Sequence, residues 1–403
     1  MFKDSLYVLY FLTQEYQTWL DSIGLYRVIQ VLTQLEFRAF AAVLFAFAIV
    51  LIAGPRTIVW LRRRKIGDNP EFFDDTINKL SQDKRGTPTM GGLLICGAIF
   101  LSVALFADIV HSKYVLLTVV TLVWFGGIGF FDDWLKLEAA RRASTTRHGL
   151  RTKEKLLLQT GGALLIAVAL YFAASSDTNP AAVSFNFPFQ RTYEPSTRTA
   201  LEGAALNPSV WILGIVAFTA IGAFWITGFS NCVNLTDGLD GLAAGTMVIA
   251  SFVMMVLCFV AASRDAAFFL MVPHVPGAGE LMVVAGAMAG ACLGFLWFNC
   301  NPARVFMGDT GSLPLGALLA VIAVAIRQEA LLVVLGGVFV VEGASVILQV
   351  SFFKLSGGVR IFPMAPIHHT FQKRGWAETQ VVIRFWVIGI ILGMLALASV
   401  KMR

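Results

Sequence analysis

"YVLLTVVTLVWFGGIGFFDDWLK" occupies residues 114–136 and joins an apolar run to two adjacent carboxylates, Asp132 and Asp133. A helix needs roughly 20 apolar residues to cross the hydrocarbon core of a membrane, and the run 114–131 is close to that length. The stretch therefore predicts a membrane-spanning helix with an acidic pair at its polar end. Such a pair is often only a solvated helix cap, so its meaning depends on what shares its side of the membrane.

The composition of the whole chain is typical of an integral membrane protein. Of its 403 residues, 57% are hydrophobic and 14% are charged, whereas soluble domains carry about 25% charged residues. The net charge of +6 is explained by basic loops that set membrane orientation, so no nucleic-acid partner is predicted. The five cysteines lie in or beside apolar stretches without metal-ligand spacing, which predicts neither a disulfide framework nor a zinc site.

Apolar stretches recur along the chain and predict an all-α integral membrane protein with ten transmembrane helices. Residues 1–403 are expected to form a single domain, with 1–38 as an N-terminal interfacial segment. The shortest predicted span contains Pro314. The predicted spans are 39–60, 89–109, 114–131, 156–174, 209–228, 241–261, 281–298, 311–326, 330–352 and 381–400.

The distribution of basic residues predicts the orientation of these spans. Loops that follow the odd-numbered spans hold 19 of the 31 Lys and Arg residues, and the termini and remaining loops hold 10. The side richer in Lys and Arg is normally cytoplasmic. Both termini and the loop 175–207 are therefore predicted to be periplasmic.

Five unusual polar clusters follow the odd-numbered spans and so fall on the predicted cytoplasmic face. Taken one at a time, each has a structural explanation as a helix cap, a turn or a helix start. Independent loops would not be expected to sort onto one face, which favours a shared function. The clusters are "KRGTPTMGG" (84–92), "FDDWLK" (131–136), "NCVNLTDGLDGLA" (231–243), "NCNPARVFMGDTGS" (299–312) and "PMAPIHHTFQKRGW" (363–376).

These clusters bring carboxylates and glycines together, and their chemistry points to a phosphate. Like charges at one site repel unless a cation joins them. Hard oxygen ligands without thiolates suit Mg²⁺, with Mn²⁺ as a substitute, and such a metal usually takes further ligands from substrate phosphates. Lys84 and the pair His368 and His369 add cationic or proton-transferring groups. The carboxylates are those of Asp132, Asp133, Asp237, Asp240 and Asp309.

A different class of protein, a proton-coupled transporter, would place its carboxylates at mid-membrane depth between repeats. Here the carboxylates lie at the ends of the predicted spans. Glu342 is the exception, because it lies inside the predicted span 330–352. We interpret Glu342 as a buried polar contact or a groove-lining residue.

In order, "KRGTPTMGG", "FFDDWLK", "NLTDGLDGLA", "VFMGDTGSL" and "MAPIHH…GW" resemble the motifs of the phospho-N-acetylmuramoyl-pentapeptide-transferase family. This family lies within the polyprenyl-phosphate N-acetylhexosamine-1-phosphate transferase superfamily. The resemblance runs from about Phe37 to the C-terminus. One departure is that the family usually shows three consecutive histidines where this chain has His368, His369 and Thr370.

The resemblance implies an activity in bacterial peptidoglycan synthesis. It implies transfer of phospho-N-acetylmuramoyl-pentapeptide from its UDP conjugate to undecaprenyl phosphate, which yields lipid I and UMP. It also implies Mg²⁺ dependence, ten helices in the bacterial cytoplasmic membrane, a cytoplasmic active site and a homodimer. The alternative is a sister enzyme that uses UDP-GlcNAc as its donor.

By motif position, the resemblance also implies roles for individual residues. Asp309 is similar to the Mg²⁺-binding carboxylate and His368 to an essential histidine. Asp132 and Asp133 are similar to the pair that engages the lipid phosphate or the metal, and Asp132 is a candidate base for the lipid phosphate. We favour direct attack, with a phospho-aspartyl intermediate as the alternative. Residues similar to those that line the nucleotide and sugar site are Lys84, Thr89, Asn234, Asp237, Asp240, Asn299, Gln349 and His369.

Overall fold

The computed structural model describes residues 30–31, 33–64, 86–141, 149–176, 179–194 and 205–402. Lys84 and most of the predicted interfacial segment 1–38 lie outside these residues. Within them the chain is almost entirely helical. The helices, numbered in chain order, are α1 Leu35–Arg63, α2 Gly92–Phe106, α3 Lys113–Arg141, α4 Thr152–Ser175, α5 Ile215–Thr236, α6 Leu242–Ala262, α7 Arg264–Leu270, α8 Glu280–Asn299, α9 Asp309–Ala325, α10 Leu332–Leu335, α11 Gly337–Leu355, α12 Ile367–Lys373 and α13 Glu378–Lys401.

Among the described helices, eight are long and apolar enough to cross a membrane, namely α1, α3, α4, α5, α6, α8, α11 and α13. The chain is therefore a multi-pass membrane protein, and the predicted all-α membrane architecture is confirmed. Helices α2 and α9 are apolar but shorter, with 15 and 17 residues. Every predicted span overlaps one of these apolar helices.

Helix α1 shows how the bundle distributes its side chains. Several of its large residues point outward, with Leu44 and Ile52 each 69% exposed, whereas Ala42 and Ala46 are fully buried. Lipid solvates leucine and isoleucine as well as a protein interior does, so helices in a membrane associate through small residues that permit close packing. Small residues therefore mark the inner faces here.

Helix α8 supplies the matching small surface through Gly286, Gly290 and Gly294, which all face α1. A Cβ atom at Gly290 would lie 2.0 Å from the carbonyl oxygen of Val43. Any larger residue would push the two backbones apart, so the stripe is required by helix packing. At Gly290 the backbones of α1 and α8 are therefore in direct contact.

Helix α9 forms the centre of the bundle, although it was the shortest predicted span. All of its residues, from Asp309 to Ala325, are buried, and it packs against α3, α5 and α2. A helix that is surrounded by protein is apolar all round and has no polar face. Helix α9 has only 17 residues. Its first residue, Asp309, therefore lies beside the polar ends of longer neighbouring helices.

Three of the predicted spans do not match the boundaries of the helices. The span expected to end at Phe131 continues as α3 through Asp132 and Asp133, because these buried carboxylates accept hydrogen bonds from neighbouring elements. Helix α5 likewise continues beyond 228, because the polar side chains of its last two turns find partners on other helices. The span predicted as 330–352 is broken at Gly336, where a Cβ atom would meet Phe229 at 2.5 Å.

At the end of the bundle away from Asp309, the chain forms a small sheet that the all-α prediction did not include. A 3₁₀ turn at Pro180–Val183 leads into β1 (Ser184–Phe185), which pairs antiparallel with β2 (Trp211–Ile212). Arg327, just after α9, donates from Nε to the Ser184 carbonyl at 2.7 Å and pairs with the buried Glu329. This contact ties the segment between α4 and α5 to the central helix.

Candidate active site

The site begins where Asp133 of α3 meets the first turn of α9. Asp133 Oδ2 accepts hydrogen bonds from Thr310 N at 2.9 Å and Thr310 Oγ1 at 2.6 Å, and Oδ1 accepts one from Asp309 N at 3.3 Å. A carboxylate here satisfies the free N–H groups of the helix and complements its dipole. Gly129 allows the approach, since a Cβ atom there would lie 2.1 Å from Asp309 O.

Asp132 and Asp309 face each other across two ammonium groups. Lys136 Nζ lies 2.7 Å from Asp132 Oδ2 and 3.0 Å from Asp309 Oδ2. Lys155 Nζ lies 2.6 Å from the same Asp309 oxygen and 3.5 Å from Asp132 Oδ2. The other oxygen of Asp132 accepts a hydrogen bond from Leu150 N at 2.7 Å. These alternating charges offset the repulsion between the two carboxylates.

Lys136 and Lys155 are central to the site, although neither was predicted from the sequence. Lys136 follows Asp132 by four positions on one helix, and this spacing was the available signal for a pair on the same face. Lys155 lies in the first turn of α4. Nothing in its local sequence distinguishes it from the neighbouring Lys153, which is exposed.

Asn234, near the end of α5, joins that helix to the same cluster. Its Nδ2 donates to Asp309 Oδ1 at 2.7 Å and lies 2.9 Å from Ser312 Oγ. One turn deeper, Asn231 donates to Gln159 Oε1 of α4 at 2.9 Å. Asp309 therefore has amide contact on one oxygen and ammonium contact on the other. Asn234 is thus a direct neighbour of Asp309, while the contact with substrate that the resemblance implies for it stays a prediction.

Asp240 and Asn299 hold two loops of the site together. Asp240 Oδ2 accepts hydrogen bonds from Asn301 Nδ2 at 3.2 Å and Ala303 N at 3.0 Å. Asn299 Oδ1 accepts one from Gly241 N at 3.0 Å, and its Nδ2 donates to Val305 O at 2.9 Å. The structure thus gives both residues a loop-bracing role beside the substrate contact that the sequence predicts.

Asp237 lies between α5 and α6 and faces the same cluster. Burial raises the pKa of its carboxyl to about 7, and repulsion from Asp309 and Asp133 adds to the rise. A hydrogen bond from the backbone of Gly308 opposes it. Burial and the neighbouring carboxylates thus both disfavour the ionised form of Asp237.

The "GTPTMGG" stretch lies against the start of α9. Phe306 N donates to Pro88 O at 2.8 Å, and Gly91 N donates to Phe306 O at 2.8 Å. A Cβ atom at Gly308, whose φ is 71°, would lie 3.0 Å from Thr89 Oγ1. Thr89 is therefore beside the site, whereas Lys84 lies outside the described residues.

His368, the first of two histidines in α12, lies against the loop that carries Asp237. His368 Nδ1 is 3.0 Å from Glu342 Oε2 of α11, and a Cβ atom at Gly238 would lie 2.5 Å from His368 Nε2. The His369 ring is stacked at a tilt, with its centroid 4.2 Å from that of His368. His369 Nδ1 is 2.7 Å from Gln372 Oε1.

Gln349 and Thr370 shape the loop before α12. Gln349 Oε1 accepts a hydrogen bond from Phe362 N at 2.9 Å. Thr370, which replaces the third histidine, is buried, and its Oγ1 donates to Met364 O at 2.5 Å. Thr370 therefore acts on the path of this loop, and the predicted contact of Gln349 with substrate stays a prediction.

The carboxylates fit a hard divalent cation. One oxygen each from Asp132, Asp133 and Asp309 lie within 4.8 Å of one another. Oxygen donors without thiolate or imidazole in the set are what Mg²⁺ and Mn²⁺ prefer. Lys136 and Lys155 now provide the positive charge between Asp132 and Asp309, so a cation there would share these oxygens with the ammonium groups.

A buried cluster of carboxylates and lysines thus lies at one end of the helical membrane bundle. Comparison with known families shows to which class of protein the chain belongs. The chain matches the Glycosyl transferase family 4 model over residues 114–327. It also matches phospho-N-acetylmuramoyl-pentapeptide-transferase signature 1 over residues 84–96. The protein is therefore a membrane transferase.

Individual relatives narrow this class further. The chain is 41% identical over 369 residues to the phospho-N-acetylmuramoyl-pentapeptide-transferase of Desulforapulum autotrophicum. The aligned region covers 92% of this chain and 94% of that protein. The chain is 42% identical over 374 residues to the enzyme of the same name from Desulfotalea psychrophila, with the same coverage. The chain belongs to the phospho-N-acetylmuramoyl-pentapeptide-transferase family, and the resemblance in its motifs is confirmed.

Proposed function

We propose that this protein transfers phospho-N-acetylmuramoyl-pentapeptide from UDP-N-acetylmuramoyl-pentapeptide to undecaprenyl phosphate, forming lipid I and UMP in peptidoglycan synthesis. Family membership supports the donor and acceptor, and one structural observation supports the site. That observation is the alternation of Asp132, Asp309, Lys136 and Lys155 within hydrogen-bonding distance at one end of the bundle. Two anionic substrates need such a concentration of fixed charge in order to approach each other.

The reaction exchanges one phosphoanhydride for another. An oxygen of the lipid phosphate attacks the β-phosphorus of the donor, the bond from that phosphorus to the bridging oxygen breaks, and UMP leaves with the bonding electrons. Little covalent chemistry is required of the protein, so positioning and charge stabilisation carry most of the acceleration. Lys136 and Lys155 are placed to offset the charge that develops on the phosphate oxygens. Direct attack needs no phospho-aspartyl enzyme.

Asp309, with Asp132 and Asp133 beside it, is the proposed holder of Mg²⁺. A bound divalent ion supplies Lewis-acid stabilisation of phosphoryl oxygens. Asn234 orients Asp309 through its hydrogen bond to Oδ1, which leaves the second carboxylate oxygen for cationic partners. Both oxygens of Asp133 are engaged by the first turn of α9, so a metal would share them with that turn.

The contacts of Asp132 support an electrostatic role over that of a base. Its oxygens already receive Lys136, Lys155 and Leu150 N, so a proton taken from the lipid phosphate would displace one of these partners. The acceptor also needs little help, because the second pKa of a phosphate monoester is about 6. Asp132 is therefore proposed to keep the two lysines and the metal in place beside Asp309.

The fold is proposed to cross the bacterial cytoplasmic membrane ten times, with α2 and α9 as the short spans, both termini periplasmic and the site cytoplasmic. In a variant without native cysteines, single cysteines near Arg142 and Lys373 should resist a membrane-impermeant thiol reagent in intact cells, while one near Thr197 should react. The reverse labelling pattern would overturn this orientation. A homodimer is likewise proposed, and the mass of the detergent-solubilised protein tests it.

The activity is tested by adding UDP-N-acetylmuramoyl-pentapeptide and undecaprenyl phosphate to the detergent-solubilised protein, with and without Mg²⁺. Formation of lipid I and UMP in a Mg²⁺-dependent manner is expected. UDP-GlcNAc in place of the muramoyl donor is the matched control and should give no product. Turnover of UDP-GlcNAc alone would replace the proposal with the sister activity.

A further inference from the structure

A buried pair outside the carboxylate–lysine cluster connects α11 to α12. Glu342 and His368 are both fully buried, with Glu342 Oε2 3.0 Å from His368 Nδ1. Burial of a carboxylate is costly unless it is paired and hydrogen-bonded. This pair is 26 positions apart in the sequence, and it joins a membrane helix to the loop region that bears the histidines.

Each member of the pair also has an atom, Glu342 Oε1 and His368 Nε2, that finds no hydrogen-bond partner among the residues that the structure describes. An unsatisfied buried polar group costs stability, and replacing a buried pair with apolar residues of similar volume is often neutral or stabilising. Packing alone therefore does not explain why this position is a glutamate. The next residue, Gly343, already provides the close contact with α5, since a Cβ atom there would lie 2.5 Å from Cys232 Sγ.

The free nitrogen of His368 is directed toward the loop of the site. A Cβ atom at Gly238 would lie 2.5 Å from His368 Nε2, so a side chain at position 238 would collide with the ring edge. Gly238 directly follows Asp237, and repulsion from Asp309 contributes to the raised pKa of Asp237. The nitrogen that Glu342 does not contact is thus the one that faces the loop beside the carboxylate cluster.

We infer that Glu342 is a positioning residue that fixes the orientation and tautomer of His368. By accepting a hydrogen bond from Nδ1, the carboxylate keeps the proton on that nitrogen. Nε2 is then the atom presented to the phosphates or the sugar of the donor. A carboxylate that orients a histidine in this way selects one tautomer and stabilises the imidazolium when it forms. The inference rests on the proposed function, because it assigns His368 a role in that reaction.

The kinetic test is a double-mutant cycle with Glu342→Leu and His368→Gln, each alone and together. If Glu342 acts through His368, each single change lowers kcat by roughly 10- to 100-fold, and the double variant is no slower than His368→Gln. A glutamate that only stabilises the fold would give effects that multiply. Multiplicative losses would overturn the inference. Should Glu342→Leu fail to fold, Glu342→Met, which keeps the length of the side chain but removes its oxygen acceptors, enters the same cycle, with the same two outcomes.

The matched control is Glu280→Gln at the opposite end of the bundle, where Glu280 pairs with Arg38 at 2.8 Å. This change also breaks an ion pair between helices, but it should combine multiplicatively with His368→Gln. If the losses in kcat do not multiply for Glu342→Leu with His368→Gln but do multiply for Glu280→Gln with His368→Gln, Glu342 acts specifically through the histidine.

A spectroscopic readout separates this inference from the proposed function. In protein labelled with ¹⁵N-histidine, the resonances lost in His368→Gln belong to His368, and in the wild type they should show a proton on Nδ1. Glu342→Leu should shift them toward a mixture of tautomers. An unchanged tautomer in Glu342→Leu would overturn the inference whether or not the enzyme turns over the donor. Absence of lipid I synthesis with a shifted tautomer would instead count only against the proposed function.

Discussion

Asp133 and Thr310 are 177 positions apart, yet Asp133 Oδ2 receives both the backbone N–H and the hydroxyl of Thr310 at 2.9 and 2.6 Å. One carboxylate of the acidic pair thus caps the central helix, whereas its neighbour Asp132 faces the lysines. Two adjacent aspartates point to different partners because successive residues on a helix lie about 100° apart.

Asp133→Asn should therefore destabilise the protein more than Asp132→Asn does. Loss of a helix cap typically costs about 1 kcal/mol, so a lower melting temperature in detergent is expected. Thr310→Val should cause a similar loss, and the double variant should be little worse than either single one. A variant Asp133→Asn that melts like the wild type but needs more Mg²⁺ would show that this carboxylate serves the metal instead.

Asp309→Asn should leave the fold intact and reduce turnover by at least about 10³-fold, because a neutral amide is a poor Mg²⁺ ligand and no longer attracts the two lysines. Turnover over a range of Mg²⁺ concentrations, together with the melting temperature, provides the check. Asp265→Asn, at an exposed position in α7, is the control and should behave as wild type. Near-normal turnover in Asp309→Asn would refute its proposed role.

Lys155→Gln should lower kcat/KM by roughly 10²- to 10³-fold, because it removes a charge positioned for phosphate oxygens. Lys153→Gln provides a matched control two positions away, since Lys153 is exposed. Both enzymes should be assayed with the two substrates varied in turn. Equal rates for the two variants would mean that the contact between Lys155 and Asp309 serves only the fold.

Asp132→Asn should slow the reaction by a similar factor at every pH from 5.5 to 9, and excess Mg²⁺ should restore part of the rate. This profile follows if Asp132 holds lysines and metal. A base would behave differently, because its loss matters most below the second pKa of the lipid phosphate, at about 6. Recovery of the variant as pH rises would favour the base.

Asp237→Asn should stabilise the protein in a pH-dependent manner when divalent ions are chelated. The pKa of Asp237 is raised to about 7 in the folded protein by burial and by repulsion from Asp309, whereas an unfolded aspartate ionises near 4. The wild-type carboxyl therefore opposes folding increasingly as pH rises from 4 to 7, with no further change above 7.

The gain in melting temperature of Asp237→Asn over wild type should accordingly be small at pH 5 and reach its full size by pH 8. Asp265→Asn again provides an exposed comparison, for which no such trend is expected. If the gain in melting temperature is the same at both pH values, ionisation of Asp237 does not oppose folding.

Local sequence was sufficient for some features of the site and not for others. Asp309 and His368 were identified from motifs, and their burial in the structure agrees with a role in the site. Lys155 was missed because its significance comes from a carboxylate 154 positions away. Glu342 was interpreted as a buried polar contact or a groove-lining residue, and its hydrogen bond to the buried His368 agrees with the first of these and identifies the partner.

The helix boundaries show the same division. The apolar length of each span could be read directly, because bilayer thickness sets it residue by residue. The end of α3 could not, since Asp132 and Asp133 continue the helix only where Leu150, Thr310 and the lysines satisfy their oxygens.

The sequence by itself therefore determined the class of fold, the family and the clustering of polar motifs on one face, because composition, span length and motif spacing are local properties. The tertiary structure alone decided which side chains meet: Asp133 with the first turn of α9, two lysines between Asp132 and Asp309, and Glu342 with His368. These pairings depend on how the helices rotate and how closely they pack. Small residues such as Gly129 and Gly290 control that packing through contacts with distant parts of the chain.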